Sequence, residues 1–198
     1  SNDTYLKIFD GNIYKNEVSP TNYDVLKSEA KLILNNENYN FTTGFQSFED
    51  LNLSNTDRYQ FILPYYDFNR QIFENNYTGA INFSSSGSND LNNTNNLRTK
   101  VVNDLNFQSP DFISKNGFKS AYNVYFKNLN TIAKNDSIYK TNPQMELMSI
   151  FELNTSFPLV NQAKNSTNYL TPMASLRFNP GDMKDYSSSD RSVNVSSI

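Results

Sequence analysis

Hydrophobic and polar residues alternate along most of this chain. In Gln144–Leu159, Met145, Leu147, Phe151, Leu153 and Phe157 share one parity, and Glu146, Glu152, Asn154 and Ser156 the other. In Asn168–Pro180, Leu170, Ala174, Leu176 and Phe178 alternate with Tyr169, Thr171, Ser175 and Arg177. A period of two predicts strands with one apolar and one polar face. The pattern predicts further strands over Thr4–Phe9, Val25–Leu34, Tyr39–Gln46, Arg58–Asn69, Tyr77–Ser86, Leu97–Phe107 and Phe118–Phe126. Pro64 interrupts its strand and predicts a bulge. About nine strands and no helix are expected.

Collected over these strands, the apolar parity carries Leu32, Leu34, Phe41, Phe45, Phe61, Ile81, Phe83, Leu105, Tyr122, Val124, Phe126, Leu147, Phe151, Leu153, Leu176 and Phe178. The polar parity carries Lys27, Glu29, Lys31, Thr42, Gln46, Asn82, Ser84, Arg98, Lys100, Asp104, Lys119, Asn123, Glu152, Asn154 and Arg177. Each run reaches roughly ten residues, longer than the five or six usual in soluble sheets. At ~3.3 Å per residue and ~45° tilt, ten residues cover about 23 Å, close to the apolar band of an outer membrane. The expected fold is therefore all-β, an antiparallel up-and-down meander of a transmembrane outer-membrane β-barrel. The apolar parity would face lipid and the polar parity the lumen. A soluble β-sandwich is the competing home for such faces, because it packs sheet on sheet.

The expected connections alternate in length. The longer ones are Asp10–Asp24, Glu49–Asp57, Gly87–Asn96, Asn128–Pro143 and the stretch from Gly181. The shorter ones are Asn35–Asn38, Arg70–Asn76, Ser109–Gly117 and Val160–Thr167. Membrane barrels have short turns on one side and long loops on the other, which favours the barrel.

Composition narrows the chemistry. The 198 residues carry a net charge of -3, with no polybasic footprint for nucleic acid. There is no His and no Cys, which excludes imidazole triads, thiol catalysis and His/Cys metal sites. Glu49 and Asp50 are adjacent and point to opposite faces of an extended chain, so they cannot act as a carboxylate pair. No Gly-rich phosphate loop or nucleophile elbow is present. The expectation is no enzyme, no cofactor and no metal. Asp182, Asp185 and Asp190 match no cation-loop spacing and read as a solvated acidic loop. The opening SNDTYLKIFD has no basic and apolar signal-peptide regions. The mean hydropathy of -0.65 is compatible with a barrel, where only alternate residues meet lipid.

The stretch YLTPMASLRFNPGDMKDYSSSDRSVNVSSI resembles the barrel of the lipopolysaccharide-assembly outer-membrane protein family (LptD, or organic solvent tolerance protein), in its alphaproteobacterial form. The shared elements are Leu170-Thr171-Pro172, Phe178-Asn179-Pro180 and the acidic, serine-bearing stretch from Asp182 to Asn194. Phe45–Phe68, with Asp57-Arg58-Tyr59 and an Ile-Leu-Pro strand, resembles another segment of the same barrel. The resemblance implies that residues 1–198 are one partial domain, about nine strands of a large transmembrane outer-membrane β-barrel, a fragment without the family's periplasmic jellyroll and remaining strands. It implies a bacterial outer-membrane location and transport of lipopolysaccharide into the outer leaflet, with the polar parity as the path. It also implies three partners besides lipopolysaccharide: outer-membrane lipid, a plug lipoprotein, and a periplasmic transport bridge reached through the absent jellyroll. Met148, Ile150 and Met173, apolar groups on the polar parity, would be plug contacts. Two other readings remain open: a porin-like or nutrient-transport barrel, and a secreted β-sandwich adhesin or glycan-binding module.

Overall fold

A computed structural model describes residues 24–53, 58–93, 95–181, 191 and 193. The expected Thr4–Phe9 strand, nearly all of the Asp10–Asp24 loop, and Asp182, Asp185 and Asp190 lie outside the described residues. The strands are β1 Val25–Asn36, β2 Tyr39–Asp50, β3 Tyr59–Asn75, β4 Gly79–Asn92, β5 Asn96–Gln108, β6 Phe112–Ile113, β7 Lys119–Lys134, β8 Gln144–Ser156, β9 Leu159–Ala163, β10 Ser166–Leu170 and β11 Met173–Phe178. No α-helix occurs among the described residues.

One antiparallel sheet runs in the order β1-β2-β3-β4-β5-β7-β8-β11, with β6 paired to β7. Each strand pairs with its successor except where β6 and the β9–β10 hairpin intervene, so the sheet is the expected meander. It does not close: β1 and β11 are its two edges and pair with different neighbours. The predicted bulge is present, as a register shift between Ile62 and Tyr65 that spans Leu63 and Pro64. The same bulge appears against β2, where Gly44 pairs with Tyr65 and Gln46 with Ile62, and a second irregularity lies between Gln71 and Phe73 of β3.

Three sequence expectations are corrected. The strands are longer than periodicity alone indicates. Gly87–Asn92, Arg70–Asn75 and Asn128–Lys134, expected as connections, continue β4, β3 and β7. Their polar side chains find partners across the sheet, as in Thr99 Oγ1 to Asn89 Oδ1 and Asn103 Nδ2 to Asn128 Oδ1. Polar composition therefore does not end them. The alternation of loop lengths disappears as a consequence. One end of the sheet carries the connections 37–38, 76–78, 109–118 and 157–172, and the other 51–58, 93–95 and 135–143. Each end mixes short and long connections. Finally, Asn168–Pro180 is not one strand. It breaks at Thr171-Pro172, opposite Phe157-Pro158, because proline cannot donate to a ladder. The two arms stay joined by Phe157 N–H donating to Pro172 O, 3.0 Å. β9 and β10 beyond the break form a separate two-stranded hairpin that is exposed throughout.

The turns follow local chemistry. Asn93 and Asn135 take the left-handed conformation that asparagine tolerates better than most residues. Gly79, at φ +99°, opens β4, where an added Cβ would collide with the Gln108 carbonyl.

Candidate functional site

The pairing register decides which residues share a face. Across β1 and β2, Glu29 faces Gln46 and Leu34 faces Phe41. Carried from strand to strand, the register puts every residue of the expected lumen set on one face, from Lys27, Glu29, Lys31, Thr42 and Gln46 through Asn82, Ser84, Arg98, Lys100 and Asp104 to Lys119, Asn123, Glu152, Asn154 and Arg177. Met148, Ile150 and Met173 lie on that same polar face. The expected lipid-facing residues, Leu32 to Phe178, all lie on the opposite, apolar face.

The two faces differ in burial. Along β7, Asn123, Lys127, Leu129, Thr131 and Ala133 of the polar face are buried, while Phe126 and Ile132 of the apolar face are exposed. No second sheet covers the apolar face among the described residues. Its aromatics meet each other instead: Phe68 contacts Tyr39, Phe41 and Phe83, and Tyr122 contacts Phe107, Phe112 and Phe151.

Charges on the polar face are compensated locally. Near β1, Glu29 accepts from Lys27, Gln46 and Tyr65 at 3.1, 2.8 and 2.7 Å. In the centre, Lys127 pairs with Asp104 at 3.1 Å. Towards β11, Glu152 is wholly buried and accepts from Asn123, Asn154 and Arg177 at 3.1, 2.7 and 2.5 Å. A carboxylate removed from water requires such partners. Lys119 reaches Asp111 at 2.8 Å. Cation, amide and hydroxyl donors thus meet carboxylate and amide acceptors at several places on the face, and no group of three or more His, Cys, Asp or Glu able to hold a metal occurs among the described residues.

At the end carrying loop 135–143, the polar face becomes apolar. Val102, Leu129, Ala133 and Met148 bury together with Tyr139. The loop folds onto them, anchored by Ala133 N–H donating to Lys140 O at 3.0 Å. Asp136 pairs with Arg98 at 2.6 Å and accepts from the Ile138 and Tyr139 amides at 2.7 and 2.9 Å. Burial raises the Asp136 pKa, but the hydrogen bonds from Tyr139, Ile138 and Arg98 outweigh it and hold the carboxyl below the ordinary aspartate value.

Sequence reasoning missed this patch because the apolar parity flips within β7. Tyr122, Val124 and Phe126 lie on one face, and Leu129 and Ala133 on the other, with Asn128 and Asn130 between. The parity change at Asn128 is readable in the sequence once the strand is known to continue. Of the three residues expected as plug contacts, Met148 is buried in this cluster, Ile150 is half-buried and Met173 is exposed.

Compared with protein-family models and with curated proteins, the chain matches neither.

Proposed function

We propose that this chain is part of the wall of an outer-membrane β-barrel that conducts lipopolysaccharide to the outer leaflet, acting without chemistry of its own. The observation that carries the membrane reading is the course of the apolar band. The cross-strand row beginning at Ala30 of β1 runs through Phe45, the Leu63–Pro64 bulge, Asn89 and Thr99 to Ile132 of β7. On β1 that row is the centre of the apolar run Leu26–Leu34. On β7 the run Tyr122–Phe126 centres on Val124, eight residues from Ile132. Eight residues is about 26 Å along a strand, and five strand spacings about 24 Å. The band therefore crosses the strands at about 45–50°, the tilt at which a barrel presents a level belt to a membrane.

The lipopolysaccharide reading rests on the family resemblance. The motif residues fall at strand limits: Thr171-Pro172 separates β10 from β11, and Asn179-Pro180 follows β11. A wall of paired charges, amides and hydroxyls suits sugars and phosphates that must pass without being held.

The chain contains no Trp, so single tryptophans report their own surroundings. Trp at Phe126 or Phe151 is expected to be quenched by brominated lipid, and Trp at Tyr125 or Ile150 on the polar face is not. Equal quenching, or none, removes the membrane reading. For the cargo, a photoactivatable side chain at Lys100 should crosslink to lipopolysaccharide in cells, and one at Phe126 to phospholipid. Protection of the Lys100 probe by a small nutrient would point to a nutrient-transport barrel instead.

A further inference from the structure

On the polar face, near the end that carries connections 37–38 and 76–78, strands β2 to β5 leave a hollow of about 320 Å³. Its side chains come from one patch of the register. Asn40 pairs with Asn69, Asn69 with Ser84, Gln71 with Asn82 and Asn82 with Asn106. Five carboxamides and a hydroxyl from the strands therefore line it. Elsewhere on this face polar groups are committed to one another: Lys127 holds Asp104, and Asn123 and Asn154 hold Glu152. Here most are not. Asn40, Asn82, Ser84 and Asn106 make no side-chain hydrogen bond or ion pair with any described residue. Asn69 and Gln71 are fixed at one nitrogen each, donating to Asp67 at 2.5 Å and to Glu74 at 2.6 Å. Those bonds orient the two amides and leave their carbonyl oxygens as acceptors.

Charge and chemistry narrow the ligand. Glu37 lines the hollow, and Asp67 and Glu74 stand beside it. Arg70 also lines it, but pairs in register with Tyr39 and Phe83 and so belongs to the apolar face. A phosphate would meet carboxylates of its own sign and no cation on the same face. A metal ion would find no group of three ligands there among the described residues. An apolar ligand would take water from the amides and return no hydrogen bond. The chemistry left is that of a neutral molecule dense in hydroxyls. A carboxamide carries donor and acceptor side by side, so it can donate to one hydroxyl of a sugar and accept from the next.

We propose that this hollow binds an uncharged sugar unit, held by the carboxamides of Asn82 and Asn106 with Asn40, Asn69 and Gln71 around them. Its volume falls at the lower end of small-molecule sites, about 300–1,000 Å³. The saccharide class deepens the lipopolysaccharide reading, and the place of the hollow inside a conduit rests on that reading. The binding itself does not.

Saturation-transfer NMR titrations of the refolded chain test it, with D-glucose, D-galactose, D-mannose and N-acetyl-D-glucosamine as probes. At least one is expected to bind with a Kd of about 1–10 mM, the range that a few uncharged hydrogen bonds support. The 6-phosphate of the same sugar should bind at least fivefold more weakly. Asn82→Leu and Asn106→Leu keep the side-chain size and remove the hydrogen bonds. Each should weaken binding at least threefold, and the two together at least tenfold. Ser84→Ala, a smaller change, should act in the same direction, and Leu170→Ala on the exposed hairpin should leave binding unchanged. No saturation transfer to any of the four sugars at about 50 mM, equal affinity for a sugar and its 6-phosphate, or binding indifferent to both leucine variants would overturn the site. The conduit is decided separately. Sugar binding without lipid quenching at Phe126 and Phe151 keeps the site and removes the membrane reading, and quenching without sugar binding does the reverse.

Discussion

Tyr65 and Tyr66 are neighbours on β3 and point to opposite faces. Each lies against a glycine on the adjoining strand: Tyr65 is paired with Gly44 of β2, and Tyr66 with Gly87 of β4. The glycines leave room for the rings, which deliver their hydroxyls to Glu29 on one face and Ser85 on the other. A Cβ at Gly87 would clash with Tyr66 Cε1. Gly87→Ala should therefore destabilise the sheet by about 1–3 kcal/mol, read as a shift in the denaturant midpoint of the refolded protein. Tyr66→Ala added to Gly87→Ala should cost less than the two single changes summed, since the clash is gone. The Glu152 cluster gives a second residue-level test. Arg177 is half exposed and Glu152 fully buried. Arg177→Met leaves a buried carboxylate with only amide donors and should cost about 1–3 kcal/mol. Glu152→Gln combined with Arg177→Met should recover part of that loss in the same unfolding measurement.

At the scale of elements, the sequence was most informative where apolar residues alternate without interruption. β1, β2, β5 and β8 begin within a residue or two of their expected starts, and the face of each candidate residue follows from parity. Polar runs were misread. Gly87–Asn92 and Asn128–Lys134 lack the apolar signal of a strand, yet neighbours on both sides complete their ladders and bond their side chains. Tertiary pairing, which no local window contains, decides such segments. The patch around Leu129 was hidden for the same reason. Loop 135–143 offers an element-level prediction. The Asp136 pKa is lowered in the folded protein, so its carboxylate stabilises the loop fully above the unfolded aspartate value of about 3.9. That contribution is lost as pH falls through the lower folded value. The Ala133 amide, bonded to Lys140 O, should keep its hydrogen-exchange protection from neutral pH to about 4 and lose it below. In Asp136→Asn the protection should be weaker at neutral pH and show no such acid step.

For the whole molecule, the oblique course of the apolar band separates two environments that residue burial cannot. Phe126 and Ile132 sit on the same face of β7 and are almost equally exposed, 42% and 40%. If water bathes that face, a lysine at either position meets similar surroundings and costs a similar, small amount. If the face meets lipid at the tilt the band implies, the two positions lie at different depths. Phe126 is two residues from the band centre at Val124. Ile132 is eight residues away, about 19 Å along the membrane normal at ~45° tilt, beyond a half-thickness of about 12 Å. Phe126→Lys should then destabilise the bilayer-inserted protein by about 2–4 kcal/mol and Ile132→Lys by about 0–1 kcal/mol. Reversible unfolding from lipid vesicles measures both. The same pair in detergent-free buffer is the control, because a soluble sheet would show the two costs converging. Equal costs from vesicles would mean that the band does not mark a membrane, and the polar face would then have to be read as one side of an open sheet rather than as the inside of a wall.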